Sequence, residues 1–240
     1  MTLHFTKEEF TERQSRTIEQ LQQRQLDGLL MFRQESMYYL SGYDSFGYVF
    51  FQCLYLGADG RLMLLTRAPD LRQARHTSTI EDIRIWEDRA DADPAMQLKT
   101  VLQGLGCRGK KLGVEYDAYG LTAKNGKLLE AALADFCTLE DASEIVNRLR
   151  VVKSAFEMEY VRQAAVLADL AYDEAYRVAE PGADEGVILA AMQGIIFAGG
   201  GDYPGNEFII GSGADALLCR YKSGRRRLDD QDQMTLEWAA

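Results

Sequence analysis

Short apolar runs separated by helix-patterned stretches recur through roughly the first 145 residues of this chain, and that alternation constrains the fold more than any other feature. From Thr6 to about Gln25 the apolar residues Phe10, Ile18 and Leu21 sit among many charges, the pattern of a surface helix with one buried stripe. "GLLMF" (Gly28 to Phe32) follows as a buried strand, and "ESMYYLSGY" as a short helix stopped by Gly42. "YVFFQCLYLGADGRLMLLT" reads as strand, turn and strand, with Gly57 to Gly60 setting a hairpin. A helix in "APDLRQAR", a strand in "IEDIRIW", a helix after Pro94, a strand in "KKLGVEY", a helix from about Leu121 to Leu133 and a strand in "FCTLED" complete the series. Strands alternating with helices predict an α/β domain.

The pattern changes near "NRLRVVKSAFEMEYVRQAAVLADLAYDEAYRVA". Ser154 with Glu157 three residues on is a capping-box start, in which each side chain satisfies the other's free backbone amide. The long helix that follows repeats Met158, Val161, Ala164, Ala165, Ala168 and Ala171 at intervals of three and four, predicting a small-residue face that lies close against a sheet. "EPGADEGVILAAMQGIIFAGGG" supplies a turn and a second helix from about Asp184 to Ala198. "NEFIIGSG", "ALLCRY" and "QMTLEWA" then read as strands, the last two linked by the charged loop "KSGRRRLDDQD". At 240 residues, two domains are expected.

Composition narrows the functional classes. Apolar residues make up 47% and charged residues 27%, enough to build cores and unlike a disordered chain. The formal charge of −10 repels phosphate backbones and anionic lipid headgroups, which argues against nucleic acid and membrane surfaces as partners. The first 25 residues lack the apolar stretch of a secretory signal, and "YVFFQCLYLGA" is too short for a membrane span and is broken by Gln52, so a soluble cytoplasmic protein is expected. Cys53, Cys107, Cys137 and Cys219 form no C-x-x-C pair and read as reduced, packed thiols. His4 and His76 are the two histidines, each expected on the surface or hydrogen-bonded.

Three features invite a chemical reading. Arg225, Arg226 and Arg227 facing Asp229, Asp230 and Asp232 read as a solvated hairpin whose charges partly cancel. The glycines of "GSG" and "AGGGDYPG" lack the spacing of a phosphate cradle and read as turns. Arg220 and Glu237 differ, because each interrupts an apolar strand: alternation places Leu218 with Arg220 on one face and Thr235 with Glu237 on one face of the next strand. Such charges reach an edge, pair with each other, or face a site.

These strings resemble the creatinase and Xaa-Pro dipeptidase family, over essentially all 240 residues. "GLLMFRQESMYYLSGYDSFGY" is similar to the opening of that family's N-terminal domain, and "LRVVKSAFEMEYVRQAA" to the start of its catalytic domain. The resemblance implies an α/β creatinase-like N-terminal domain over residues 1–150, followed over 151–240 by the first half of an α+β pita-bread catalytic domain. It also implies that the catalytic domain continues past Glu237, that these residues by themselves hold no complete active site, and that apolar strand surface is uncovered near residues 206–240. Arg220 stands before Tyr221 where the family's peptidases carry a histidine, and Glu237 and Ala239 stand where they carry a metal-binding Asp-x-Gly.

Such a replacement suits an electrophile different from a peptide. A neutral amide needs a Lewis acid, whereas an amidinium carbon already carries positive charge and needs a nearby anion, proton transfer and orientation. Glu237 fits as the catalytic carboxylate, and Arg220 as a fork for a substrate carboxylate, with Tyr221 beside it. Within the metal-independent branch of the family, the strings "GDYPGNEFIIGSG", "LLCRYKSGRR" and "TLEWA" are most similar to the ectoine-hydrolyzing type. That resemblance implies hydrolytic opening of the cyclic amidine ectoine, a small zwitterion, without metal or other cofactor. It implies a homodimer in which the loop around Phe46 and Tyr48 walls the neighbour's pocket, a core role being the alternative for those aromatics. A creatinase-type amidinohydrolase, a metal-dependent Xaa-Pro peptidase and a noncatalytic protein of the same fold are the alternatives.

Overall fold

The computed structural model describes residues 3–46, 49–205, 207–218 and 223–240. They form two compact units, 1–152 and 153–240.

The first unit is a three-layer α/β domain. Its sheet runs in the order β4 (Asp82–Trp86), β3 (Leu62–Arg67), β2 (Cys53–Gly57), β1 (Gly28–Met31), β5 (Lys111–Val114), β6 (Thr138–Asp141). β1 pairs antiparallel with β2 and parallel with β5, and the β2–β3 pair is the antiparallel hairpin closed at Gly57 and Gly60. Both faces are covered, which is why β1 and β2 read as unbroken apolar runs. Period-two alternation sends Leu30 and Tyr55 toward α4 (Pro94–Gly104) and α5 (Ala123–Leu133), and Leu29 and Met31 toward α1 (Lys7–Gln23) and α2 (Gln34–Ser41). α2 stops where expected: Gly42 takes φ +77°, and its amide closes on the Tyr38 carbonyl. The short α3 (Leu71–Thr77) is held to the sheet by the buried Ala74.

Two expectations for this unit need correction. β2 begins at Cys53, and Phe51 and Gln52 before it are not strand: the Phe51 carbonyl accepts from the Trp86 indole at 2.9 Å. The Gln52 side-chain oxygen is taken by Tyr43 Oη and Thr66 Oγ1, at 2.8 and 2.9 Å. A helix the pattern did not announce, α6 (Glu144–Val151), precedes the domain junction and buries Ile145 and Val146 in the same core as α1 and α2.

The second unit has α7 (Ala155–Val178) and α8 (Glu185–Ala198) packed on one face of an antiparallel ribbon of β7 (Ile209–Ser212) and β8 (Met234–Glu237). The capping box forms in both directions at Ser154 and Glu157. The inward face of α7 is displaced from the expected one. Ala171 and Ala175 are buried and Ala164 and Ala168 half-buried, while Met158, Val161 and Ala165 are exposed. Phe156, Tyr160, Val166, Leu170 and Tyr176 are exposed on the same helix, and within residues 206–240 Leu217 and Leu218 are exposed among the described residues.

The expected strand "ALLCRY" is absent over its described part. Gly213–Leu217 forms a 3-10 turn, because Gly213 takes φ +55° and turns the chain out of β7. The Leu218 amide then closes on the Asp215 carbonyl.

Candidate active site

β8 presents its side chains to two different environments. Leu236 and Trp238 pack with the helices around Ile188, Met192 and Phe208. Thr235 and Glu237 therefore project from the helix-free face. The register places Glu237 opposite Ile209, Leu236 opposite Ile210, and Thr235 opposite Gly211. Glu237 is exposed, at the last residue of the strand.

Three contacts hold the strand on either side of Glu237. Trp238 Nε1 donates to the Ala168 carbonyl at 3.0 Å, and the indole stacks on Tyr172 with centroids 5.7 Å apart and planes within 9°. Thr235 Oγ1 donates to the Ala216 carbonyl at 2.7 Å, tying the 3-10 turn across the helix-free face. That close approach depends on Gly211, where a Cβ would collide with the Asp215 carbonyl.

The charged loop is solvated at Arg225, Arg227, Asp229 and Asp230, as its composition predicted, but Arg226 and Asp232 are partly buried. Arg226 Nη1 reaches both Ser212 Oγ (2.8 Å) and Asp232 Oδ2 (2.5 Å), and Nη2 reaches Asp229 Oδ2 (2.6 Å). Glu185, buried in the first turn of α8, accepts from Ser212 Oγ at 2.6 Å and from the Arg226 amide at 3.1 Å. Hydrogen bonds from the Asp229 amide and from Arg226 hold the Asp232 carboxyl below the usual range, and Asp232 in turn raises the Arg226 pKa. A cleft of about 120 Å³ borders Glu185, Ile210, Leu218 and Arg226; Glu237 does not line it, so the cleft belongs to this polar cluster and not to the carboxylate. The sequence signal for the cluster was present in the spacing of Arg226, Asp229 and Asp232, but nothing in the spacing indicates that buried Glu185 and Ser212 lie beneath them.

The first unit holds a second buried acid that strand reading passed over. Glu115 follows β5 and is fully buried; its Oε2 accepts from the Phe32 and Arg33 amides at 3.1 and 3.0 Å, and its Oε1 from Ser36 Oγ at 2.5 Å. It thereby holds the two amides that lead into α2 and the Ser36 hydroxyl in its first turn. Burial pushes its pKa up to about 7 against the opposing pull of those hydrogen bonds.

Of the predicted site residues, Glu237 and Phe46 are described. Phe46 is 80% exposed in the loop after α2, in the first unit, which argues against the core alternative for this aromatic. Tyr48, Arg220 and Tyr221 lie outside the described residues, as does Cys219. Cys53 and Cys107 are buried and Cys137 partly so, all with free thiols. His76 is exposed, and His4 Nδ1 lies 2.6 Å from Tyr38 Oη. Among the described residues no group of three or more His, Cys, Asp or Glu side chains converges. Among them also no helix is long and apolar enough to cross a membrane.

Comparison with known proteins matches residues 13–152 to the creatinase/prolidase N-terminal domain and residues 159–240 to metallopeptidase family M24. An uncharacterised hydrolase/peptidase of Sinorhizobium fredii is 30% identical over 210 residues, covering 85% of this chain and 53% of that protein. The ectoine hydrolase of Halomonas elongata is 27% identical over 232 residues, covering 90% of this chain and 58% of its own length. Among solved structures, an Xaa-Pro dipeptidase from Bacillus anthracis superposes with a TM-score of 0.77 at 19% identity, covering 96% of this chain and 61% of that one. The chain thus spans less than two thirds of the relatives it matches.

Proposed function

The chain belongs to the creatinase/prolidase family of hydrolases, and from that premise we propose that the full-length protein hydrolyses the cyclic amidine ectoine, with Glu237 as the anion beside the cationic carbon. The observation that carries this reading is the placement of Glu237: a strand-end carboxylate on the helix-free face of β8, in a chain 27% identical to an ectoine hydrolase.

The chemistry follows from the substrate. Water adds to the amidinium carbon and gives a tetrahedral carbon bearing a hydroxyl and both ring nitrogens. One C–N bond then breaks, the proton lost by water passes to the departing nitrogen, and an acetylated diaminobutyrate results. In this proposal a carboxylate at Glu237 stabilises the cation electrostatically and takes part in the proton transfer or in the attack itself. Arg220, with Tyr221 next to it, supplies the guanidinium fork for the ring carboxylate in this proposal. Phe46 and Tyr48 form an apolar wall contributed by a second copy, and the protein works as a cytoplasmic homodimer.

A metal-dependent Xaa-Pro peptidase is the second reading, supported by the M24 match over residues 159–240. Turnover of ectoine and of an Xaa-Pro dipeptide, each measured with chelator and with added divalent metal, separates the two. Ectoine opening that persists in chelator supports the first reading, and metal-dependent dipeptide cleavage with no ectoine opening supports the second.

A further inference from the structure

The loop between β7 and β8 is long, so no tight turn dictates how the two strands align. The ribbon itself has four paired positions, too few to define its own alignment in water. Yet alignment matters here more than stability does. A slip of one residue turns every side chain of β8 to the other face, carrying Glu237 in among the helices and Trp238 out to the open side.

We propose that Arg226 is a positioning residue that pins β8 in register on β7, and so decides the face on which Glu237 is presented; this rests on the reading of Glu237 as the substrate-facing acid. Ser212 is the last residue of β7 and pairs with Met234, the first of β8. Nη1 of Arg226 joins Ser212 Oγ to the carboxylate of Asp232, two residues before Met234, so one guanidinium nitrogen spans both strands at their closed end. The Gly213 amide donates to the Gln233 carbonyl at 2.9 Å beside it. Glu185 binds Ser212 Oγ and the Arg226 amide together, which fastens the pin to α8.

Burial makes the pin selective. Ser212 is fully buried, Glu185 is 4% exposed, and the Asp232 side chain is 10% exposed, whereas Asp229, the other partner of Arg226, is 78% exposed. A slipped register would carry Asp232 away from Arg226 and leave the guanidinium that also serves the buried Ser212 without its less exposed carboxylate partner. An independent sign is Gly213: a Cβ there would lie 2.9 Å from Arg226 Nη1 and 2.8 Å from Asp232 Oδ1, so the chain is bare where the guanidinium passes.

The test reads the strand and not turnover, so its failure is separate from failure of the ectoine assignment. With Trp86 replaced by phenylalanine, Trp238 is the single tryptophan of the chain. In that background Arg226→Met is expected to move Trp238 emission to longer wavelength. It should also speed amide exchange at Ile209–Ser212 and Met234–Glu237 by at least about tenfold, while α7 and α8 keep their protection. Arg226→Lys, which can still bridge one pair, should recover part of both changes. Should Arg226→Met unfold the helices as well, Asp232→Asn decides the matter: it is expected to give the same red shift with helices intact, and Asp229→Asn to give none. Unchanged emission and exchange in both Arg226→Met and Asp232→Asn, or an Asp229→Asn effect as large as that of Asp232→Asn, overturns the proposal.

Discussion

The indole N–H of Trp238 donates to the Ala168 carbonyl at 3.0 Å and, with the stacking on Tyr172, ties the strand that ends in Glu237 to the long helix α7. Neighbours on a strand point to opposite faces, so fixing Trp238 against the helix fixes Glu237 on the other side. Trp238→Phe keeps the stacking on Tyr172 and loses the bond. It is expected to destabilise the second unit by about 1 kcal/mol, and Trp238→Ala by about 3 kcal/mol, in urea unfolding followed by circular dichroism.

Glu237→Gln removes the charge and keeps the shape. If the carboxylate stabilises a cationic carbon, kcat on ectoine falls by about a thousandfold while the melting temperature stays within a degree or two. The position is exposed, so a large loss of stability would point instead to a structural role.

Gly211→Ala tests the approach of the 3-10 turn. The added methyl meets the Asp215 carbonyl, which lies on backbone and cannot swing away. A cost of about 2 kcal/mol is expected, with amide exchange rising first over Gly213–Leu218. Thr235→Val, which loses the bond to Ala216 but no volume, should cost about 1 kcal/mol.

Glu115 links stability of the first unit to pH with a sign that runs against most carboxylates. Its folded pKa, about 7, lies above its ordinary value of 4.5, so between those values the folded state holds a proton that the unfolded state has released. Stability therefore falls as pH rises from about 4.5 to 7, by an amount on the order of 3 kcal/mol at most. Glu115→Gln should flatten that slope, since one amide oxygen still accepts from Phe32 and Arg33. Glu115→Ala strands two backbone donors and should cost about 3 kcal/mol or more.

Asp232 has the opposite sign. Its folded pKa is lowered below the ordinary 3.8, so its contribution is complete above pH 4 and is lost as pH falls through the lowered value. Trp238 emission should be constant from pH 7 to about 4 and shift only below it.

Most of the fold was legible because periodicity reports which faces are buried. The strands Gly28–Met31 and Lys111–Val114 are short apolar runs, and the capping box at Ser154 announces α7 in the sequence alone. What escaped was decided by contacts between distant residues. "ALLCRY" has a strand's composition, but Gly213 at positive φ and the Thr235 hydroxyl on Ala216 make its first part a turn. α6 is short and charge-rich, and only its packing through Ile145 and Val146 makes it a helix. Arg226 looked as solvated as the rest of its loop because nothing in the loop's own sequence reveals that buried Glu185 and Ser212 wait beneath it. Of the site, Glu237 stood out as an acid inside an apolar strand, and Arg220 by the same argument, though Arg220 lies outside the described residues.

The most direct test is to incubate the purified full-length protein with ectoine in the presence of a strong divalent-metal chelator and follow the ring by proton NMR. Opening of ectoine to an acetylated diaminobutyrate at an undiminished rate, and its loss in Glu237→Gln, is the predicted result. No ring opening by folded protein, or opening that appears only when divalent metal is restored, would contradict it.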